Sequence, residues 1–282
     1  MTFWLGCAVW AYKGWVGDLF PQRASSKDFL QLYSRRLTAV EGNATFYAVP
    51  SETMLSQWRL ATPPGFRFSP KLYREVTHRG DLMPQRDLAL AVIERLCHLG
   101  DRLGPLMIQL PPSYTPAQLD DLDQFLSLLP PHIAAAVEVR HSDWFLPAHG
   151  SRLNQCLQQR RVGRILLDTR PIYAGSDDPQ RGSTRRKPQV PLQPAVTAPF
   201  TIVRYIGHPE LDRNRTYIES WATQIGEWLN QGTEIYLFVH CPQEGRSPTI
   251  VKAFQLALEA VRAPVPPLPW LQRLQPDQLS LF

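Results

Sequence analysis

No apolar run in this sequence approaches the roughly 20 residues a membrane-spanning helix needs. An integral helical membrane protein is therefore not expected. Cysteine is scarce: Cys7, Cys97, Cys156 and Cys241 are the four in 282 residues, and no two have CxxC spacing. That argues against a disulfide scaffold or a thiolate zinc site, and the thiols read as reduced and mostly buried. Neither sign of charge dominates. The 30 Lys+Arg against 25 Asp+Glu leave a net +5, which permits an anionic partner without requiring one. There is no Gly-rich phosphate loop of either standard kind and no HxH or HExxH pair. The first fifteen residues, MTFWLGCAVWAYKGW, are apolar, but no basic segment precedes them and Lys13 comes early. They read as a first strand rather than a signal peptide, and a cytoplasmic location is expected.

What is present is a rhythm. The chain is 44% hydrophobic, and eight short apolar runs recur at residues 3–9, 38–42, 66–71, 105–110, 133–139, 163–167, 200–206 and 234–239. Short runs rich in Val, Ile and Leu, bounded by Gly, Pro or Asn, fit strands buried on both faces. Helix signals lie between them. Ser51 precedes Glu52 and a Leu55/Trp58 stripe. Thr115-Pro116-Ala117-Gln118 is a capping box with proline at the first helical position, followed by Leu119, Leu122, Leu126 and Leu129. Ser247-Pro248 opens the last helix, and Ile218, Trp221, Ile225 and Trp228 form a stripe at helical spacing. Strand–helix alternation implies parallel strands with right-handed crossovers. Eight such units over residues 1–262 predict a single-domain α/β protein, a (β/α)8 TIM barrel.

Two segments break the rhythm. Residues 171–199 lack periodicity and carry Arg181, Arg185, Arg186 and Lys187, a basic cluster suited to phosphate or to plain solvation. Residues 263–282 form a proline-rich tail ending in Gln278-Leu279-Ser280-Leu281-Phe282.

Active sites of such barrels lie at the C-terminal strand ends. The polar groups expected there are Glu41 and Asn43 after strand two, Lys71 after three, Gln109 after four, Glu138, Arg140 and His141 after five, Asp168 after six, Arg204 and His208 after seven, and His240 after eight. The catalytic candidates are Glu41, Glu138, His141, Asp168 and His208, as general acids, bases or metal ligands. Lys71, Gln109, Arg140, Arg204, His240 and Asn43 would bind substrate, with Trp10, Tyr12, Tyr47 and Trp144 stacking against it. Glu138 and Arg140 share a strand face and could instead form an internal ion pair. Whether a divalent metal is used is left to geometry, because no ligand spacing signals one.

The motifs resemble those of the YecE-like family of TIM-barrel proteins over residues 4–258. The resemblance lies in Gly6-Cys7-Ala8-Val9-Trp10-Ala11-Tyr12 with Trp15, in Glu41-Gly42-Asn43-Ala44-Thr45-Phe46-Tyr47 with Pro50-Ser51 and Trp58, and in Phe66-Arg67-Phe68 with Lys71 and Thr77-His78. It continues in Leu103-Gly104-Pro105 with Gln109-Leu110-Pro111-Pro112-Ser113, and in Val137-Glu138-Val139-Arg140-His141 with Trp144. It implies a TIM barrel with a shared polar pocket at these positions, and it implies no reaction. Family members commonly place two asparagines after the last strand, where this chain has Val239 and His240. The terminal Gln278, Leu279, Leu281 and Phe282 resemble the short motif by which bacterial repair and replication proteins bind the DNA sliding clamp. The glutamine amide would bond to backbone while the apolar side chains anchor in a groove. The fifteen residues 263–277 would reach about 50 Å at most.

The reading taken forward is an enzyme acting on nucleic acid or another phosphorylated substrate, by hydrolysis, and recruited by the clamp. A non-catalytic clamp-associated binding protein and a small-molecule enzyme for a sugar or phosphate metabolite are its rivals.

Overall fold

The computed structural model describes residues 2–181, 183 and 186–270. Eight strands form one parallel sheet: β1 (Phe3–Cys7), β2 (Ala39–Gly42), β3 (Arg67–Pro70), β4 (Leu106–Gln109), β5 (Ala135–Glu138), β6 (Gly163–Asp168), β7 (Phe200–Ile206) and β8 (Glu234–His240). Their order is β3-β2-β1-β8-β7-β6-β5-β4. Isolated parallel bridges Phe68↔Leu103 and Lys71↔Met107 draw β3 toward β4, and the Leu72 amide donates to the Met107 carbonyl at 2.9 Å. The ring is thus nearly closed, the TIM barrel expected from the eightfold rhythm.

The helices are α1 (Phe29–Ser34), α2 (Ala44–Tyr47), α3 (Glu52–Ala61), α4 (Arg74–Thr77), α5 (Arg86–Leu96), α6 (Leu119–Ser127), α7 (Pro147–Arg160), α8 (Arg170–Tyr173), α9 (Arg215–Asn230) and α10 (Ser247–Ala260). The Ser51 hydroxyl accepts from the Met54 amide at 3.2 Å and caps α3. The Thr115 capping box is formed, but it opens a 3-10 turn that runs on into α6. Past α8, residues 174–199 hold no helix or strand among those described, while Pro171, Ile172 and Tyr173, expected in the irregular segment, belong to α8.

Alternation along the strands sorts the interior. Ala39, Met107, Ala136, Ile165, Ile202, Tyr236 and Phe238 pack inside the barrel with Trp4, whose ring stacks on Tyr236 at 4.5 Å. Two residues further along five of these strands stand Glu41, Gln109, Glu138, Arg204 and His240. The apolar layer therefore becomes a floor for a polar one. Gly6 has to be glycine: a Cβ there would lie 1.8 Å from the Ala39 carbonyl oxygen. That closeness lets the Tyr33 hydroxyl accept from the Cys7 amide at 2.6 Å and donate to the Ala39 carbonyl at 2.9 Å, tying β1 to β2.

Residues 263–270 do not hang free. Leu268 is buried, the Gln255 amide donates to the Pro266 carbonyl at 3.0 Å, and Lys252 sits over the Trp270 ring at 3.7 Å. All four cysteines are unpaired, and Cys97 alone is partly exposed. Among the described residues, no helix is long and apolar enough to cross a membrane.

Candidate functional site

At the C-terminal end of the barrel lies a cavity of about 800 Å³ lined from all eight strand ends, six through the loops that follow and two, β4 and β7, through a residue of the strand itself. Ala8 and Val9 come after β1, Asn43, Phe46 and Tyr47 after β2, and Lys71, Arg74 and His78 after β3. Gln109 ends β4 and Arg140 follows β5. Residues of the irregular segment, Arg181, Ser183, Arg186, Lys187 and Pro188, fold over the mouth after β6, while Arg204 belongs to β7. His240, Cys241, Pro242 and Glu244 close the circle after β8. The volume suits a small organic ligand.

The cavity floor is an ion network. Arg204 grips Glu41 with two parallel bonds, Nε to Oε2 and Nη2 to Oε1, both 2.8 Å, and its Nη1 reaches Glu138. Lys71 Nζ lies 2.9 Å from Glu41 Oε1 and 2.9 Å from the Gln109 side-chain oxygen. Arg140 donates to Glu138 Oε1 at 2.6 Å, the internal ion pair that their shared strand face left open as the alternative to a ligand-binding role. Two carboxylates thus face three permanent or near-permanent cations, leaving one positive charge over.

Burial is the largest single influence on Glu41, Glu138, Lys71 and His240; neighbouring cations overturn it for the two carboxyls, and it prevails for the lysine and the imidazole. Desolvation pushes Glu41 upward, but Arg204, Lys71 and His240 together hold it well below the usual glutamate range. Glu138 is likewise raised by burial and then carried down to about 2 by Arg140, Arg204 and Lys71. Burial and Arg204 bring Lys71 down to about 8 against the pull of Glu41 and Glu138. Burial takes His240 down to about 3, so the imidazole is neutral. A neutral ring 2.9 Å from Glu41 Oε2 donates from Nε2, which makes the 3.2 Å approach of Arg204 a close contact rather than an accepted bond.

Seven cationic side chains line the cavity: Lys71, Arg74, Arg140, Arg181, Arg186, Lys187 and Arg204. Arg186 is paired with Asp178 and Arg74 with Glu75. Among the described residues the lining holds one carboxyl, Glu244, raised to about 8, chiefly by burial. Near neutral pH it therefore subtracts little from the positive charge. Among the described residues, no group of three His, Cys, Asp or Glu side chains could hold a metal ion.

The expected site residues divide. Lys71, Gln109, Arg140, Arg204, His240, Asn43 and Tyr47 line the cavity, and Glu41 and Glu138 hold its floor. The others lie elsewhere, for definite reasons. Asp168 follows the outward parity of β6. It accepts from Arg170 at 2.9 and 2.8 Å and from the Trp221 indole at 2.8 Å, so it braces α9 instead of facing ligand. The His208 Nε2 is 2.9 Å from Asp177 and its Nδ1 accepts from the Glu210 amide, which locks the turn after β7. His141 accepts from the Asp143 amide at 3.2 Å and opens a 3-10 turn on the rim. Trp144 cannot stack a base. It is fully buried and donates to the Tyr114 carbonyl at 2.8 Å. Trp10 packs edge-on against Trp58 and Phe68, and Tyr12 against Trp15. Arg185 and the motif Gln278, Leu279, Leu281 and Phe282 lie outside the described residues.

Sequence reading missed Arg74, Glu244 and Phe46 as lining residues, and it noted Arg181, Arg186 and Lys187 only as part of a basic run. The available signal for Glu244 was its position a few residues past the last strand, inside the loop where such barrels carry function.

Fold and site together define a class: a (β/α)8 barrel whose mouth is a cationic cavity resting on a buried ion network. The chain belongs to a family within that class. Residues 4–273 match the family model described as "Protein of unknown function DUF72". The chain is 32% identical to the UPF0759 protein YecE of Escherichia coli K12 over 282 residues, 99% of each protein, and equally so to its counterpart in strain O157:H7. Two solved structures share the fold. A DUF72 family protein of Thermotoga maritima MSB8 has TM-score 0.68 at 20% identity, covering 92% of this chain and 100% of that one. Another, of Enterococcus faecalis V583, has TM-score 0.68 at 15% identity, covering 91% and 95%.

Proposed function

We propose that the barrel mouth binds a phosphorylated ligand and that the chain is an enzyme acting on it. One observation carries this reading: among the described residues, seven cationic side chains and a single carboxyl, raised to about 8 chiefly by burial, line one cavity. Two ionised carboxylates beneath the floor preorganise Lys71, Arg140 and Arg204 without cancelling them. Such fixed cations favour oxyanions, and they stabilise negative charge that develops on oxygen during transfer or hydrolysis. Arg181 and Lys187 have no ion-pair partner among the described residues, which suits groups whose partner is the ligand.

The finer reading is hydrolysis of nucleic acid by a barrel delivered to DNA by the sliding clamp. It is supported by the terminal QLSLF sequence alone. Sugar phosphates fit the same cavity chemistry, and a purely binding role remains the non-catalytic rival.

Calorimetric titration with inorganic phosphate, a sugar phosphate, a deoxynucleoside monophosphate and a single-stranded oligonucleotide tests the proposal. Binding of at least one, weakened by salt and reduced roughly 10–100-fold in a Lys187→Gln variant, is expected, since a charge-assisted bond contributes about 1.5–3 kcal/mol. Indifference to all four would overturn it. The clamp arm predicts that purified sliding clamp binds the full chain and loses it when residues 278–282 are deleted.

A further inference from the structure

We propose that Gln180 and Tyr173 are positioning residues: they grip the backbone of Lys187 from both sides and so hold that lysine over the cavity before a ligand arrives. This rests on the reading of the cavity as an oxyanion site and goes further, naming what keeps one of its cations in place.

Lys187 stands in the irregular segment after α8, where no ladder of helix or strand bonds fixes the chain. Its backbone is nonetheless bonded on both sides. The amide donates to Gln180 Oε1 at 2.7 Å, and the carbonyl accepts from the Tyr173 hydroxyl. The next carbonyl, of Pro188, accepts from the Thr169 hydroxyl at 3.1 Å. These anchors are mounted on the barrel. Thr169 precedes α8 and Tyr173 ends it. Asp168, at the end of β6, ties that helix down by accepting from the Arg170 amide at 3.0 Å, from the Arg170 guanidinium and from the Trp221 indole of α9.

Gln180 is 2% exposed, and its own amide donates to Asp178 Oδ1 at 3.2 Å. Its Oε1 is committed to Lys187, while its Nε2 is sealed from solvent with no hydrogen-bond partner among the described residues. A buried amide with an unpaired donor costs stability that an apolar side chain of the same size would not. What glutamine supplies there, and such a side chain cannot, is the acceptor for the Lys187 amide.

Lys187 needs that hold. It lines the cavity, and its ammonium is lowered from the ordinary lysine range by burial first and then by Arg204, with Arg140 pushing the same way and Glu41 pulling back. A long, strongly hydrated side chain set among like charges would swing out into water. Fixing the backbone at N–H and C=O keeps the residue at the mouth, so less ordering remains to be done when a ligand binds.

A double-mutant cycle tests this. Wild type, Gln180→Met, Tyr173→Phe, Lys187→Gln and the two doubles that combine either anchor change with Lys187→Gln are titrated calorimetrically. The probes are inorganic phosphate, a sugar phosphate, a deoxynucleoside monophosphate and a single-stranded oligonucleotide, and the cycle is read on each that binds the wild-type chain. Gln180→Met and Tyr173→Phe should each weaken binding roughly 2–10-fold, the cost of ordering one long side chain at the moment of binding. In the Lys187→Gln background the same changes should cost about 2-fold or less, because the residue they position is gone. Equal losses in the two backgrounds would make both anchors merely structural and overturn the proposal. No loss in the wild-type background, or a Lys187→Gln change without effect, overturns it as well. In each of these cases the oxyanion reading of the cavity stands. Absence of binding by all four probes overturns both. Tyr173→Phe removes a single oxygen and carries the decision if Gln180→Met folds poorly.

Discussion

At the residue scale, Arg204 joins everything on the cavity floor. Its guanidinium serves two carboxylates at once, and its planar fork fits Glu41 with two bonds of 2.8 Å. Replacing it with methionine would leave Glu41 and Glu138 buried beside each other without their shared cation. Removing one partner of such a network costs about 3–5 kcal/mol. Arg204→Met should lose that much in urea denaturation, and Arg204→Lys should recover only part of it, because a lysine cannot present the fork. A loss below about 1 kcal/mol would mean that water already reaches the two carboxylates. Sequence parity made Arg204, Glu138 and Glu41 legible as inward groups, since each lies two residues beyond an interior apolar side chain. The same rule turns Asp168 outward, because it has the opposite parity to the inward-facing Ile165. Trp144 was not legible in this way. An aromatic after a strand can cover the mouth or fill the wall, and only the position of the Tyr114 carbonyl decides it.

At the element scale, the segment after α10 shows what proline content leaves open. Residues 263–270 could be a free tether or fold back with Trp270 on the barrel, and they lie as a strap across the outer helices. Leu268 is 2% exposed and Trp270 is covered by Lys252. Leu268→Ala should therefore cost about 2–5 kcal/mol, the range for emptying a buried leucine site, read as a shift in the urea midpoint at unchanged slope. No shift would show the strap to be energetically loose. The docking also shortens any reach of the terminal motif. Counted from residue 271, seven residues precede Gln278, about 25 Å at full extension instead of about 50 Å. The irregular segment between β6 and β7 was recognised from its composition. Its placement over the mouth was not, because that depends on contacts such as Thr169 to the Pro188 carbonyl at 3.1 Å, made across nineteen residues.

At the scale of the whole molecule, the buried network makes stability depend on acid in two stages. His240 has a folded value of about 3 against an ordinary 6.5. Between those values the unfolded chain takes a proton that the folded chain refuses, so stability falls as pH drops from about 6.5. Glu138, at about 2 against 4.5, contributes stability that is fully present above 4.5 and lost as pH falls toward 2; Glu41 acts in the same direction. Urea unfolding free energy measured from pH 8 to 4 should therefore decline below 6.5 by up to ~1.4 kcal/mol per pH unit for His240 alone, then more steeply. His240→Asn should flatten the first stage and leave the second. Equal slopes in the two proteins between pH 6.5 and 4.5 would remove His240 from the acid response.

The sequence by itself determined the barrel, because hydrophobic periodicity and turn residues are local properties that repeat visibly eight times. It also determined which polar groups sit at strand ends. What only tertiary structure decided was which of those groups meet. Glu41 and Arg204 are 163 residues apart and Glu41 and His240 are 199 apart, and no local pattern encodes such a meeting. Ring closure, strand parity and a folded-over loop bring them together, and burial then sets which carboxyl keeps its proton.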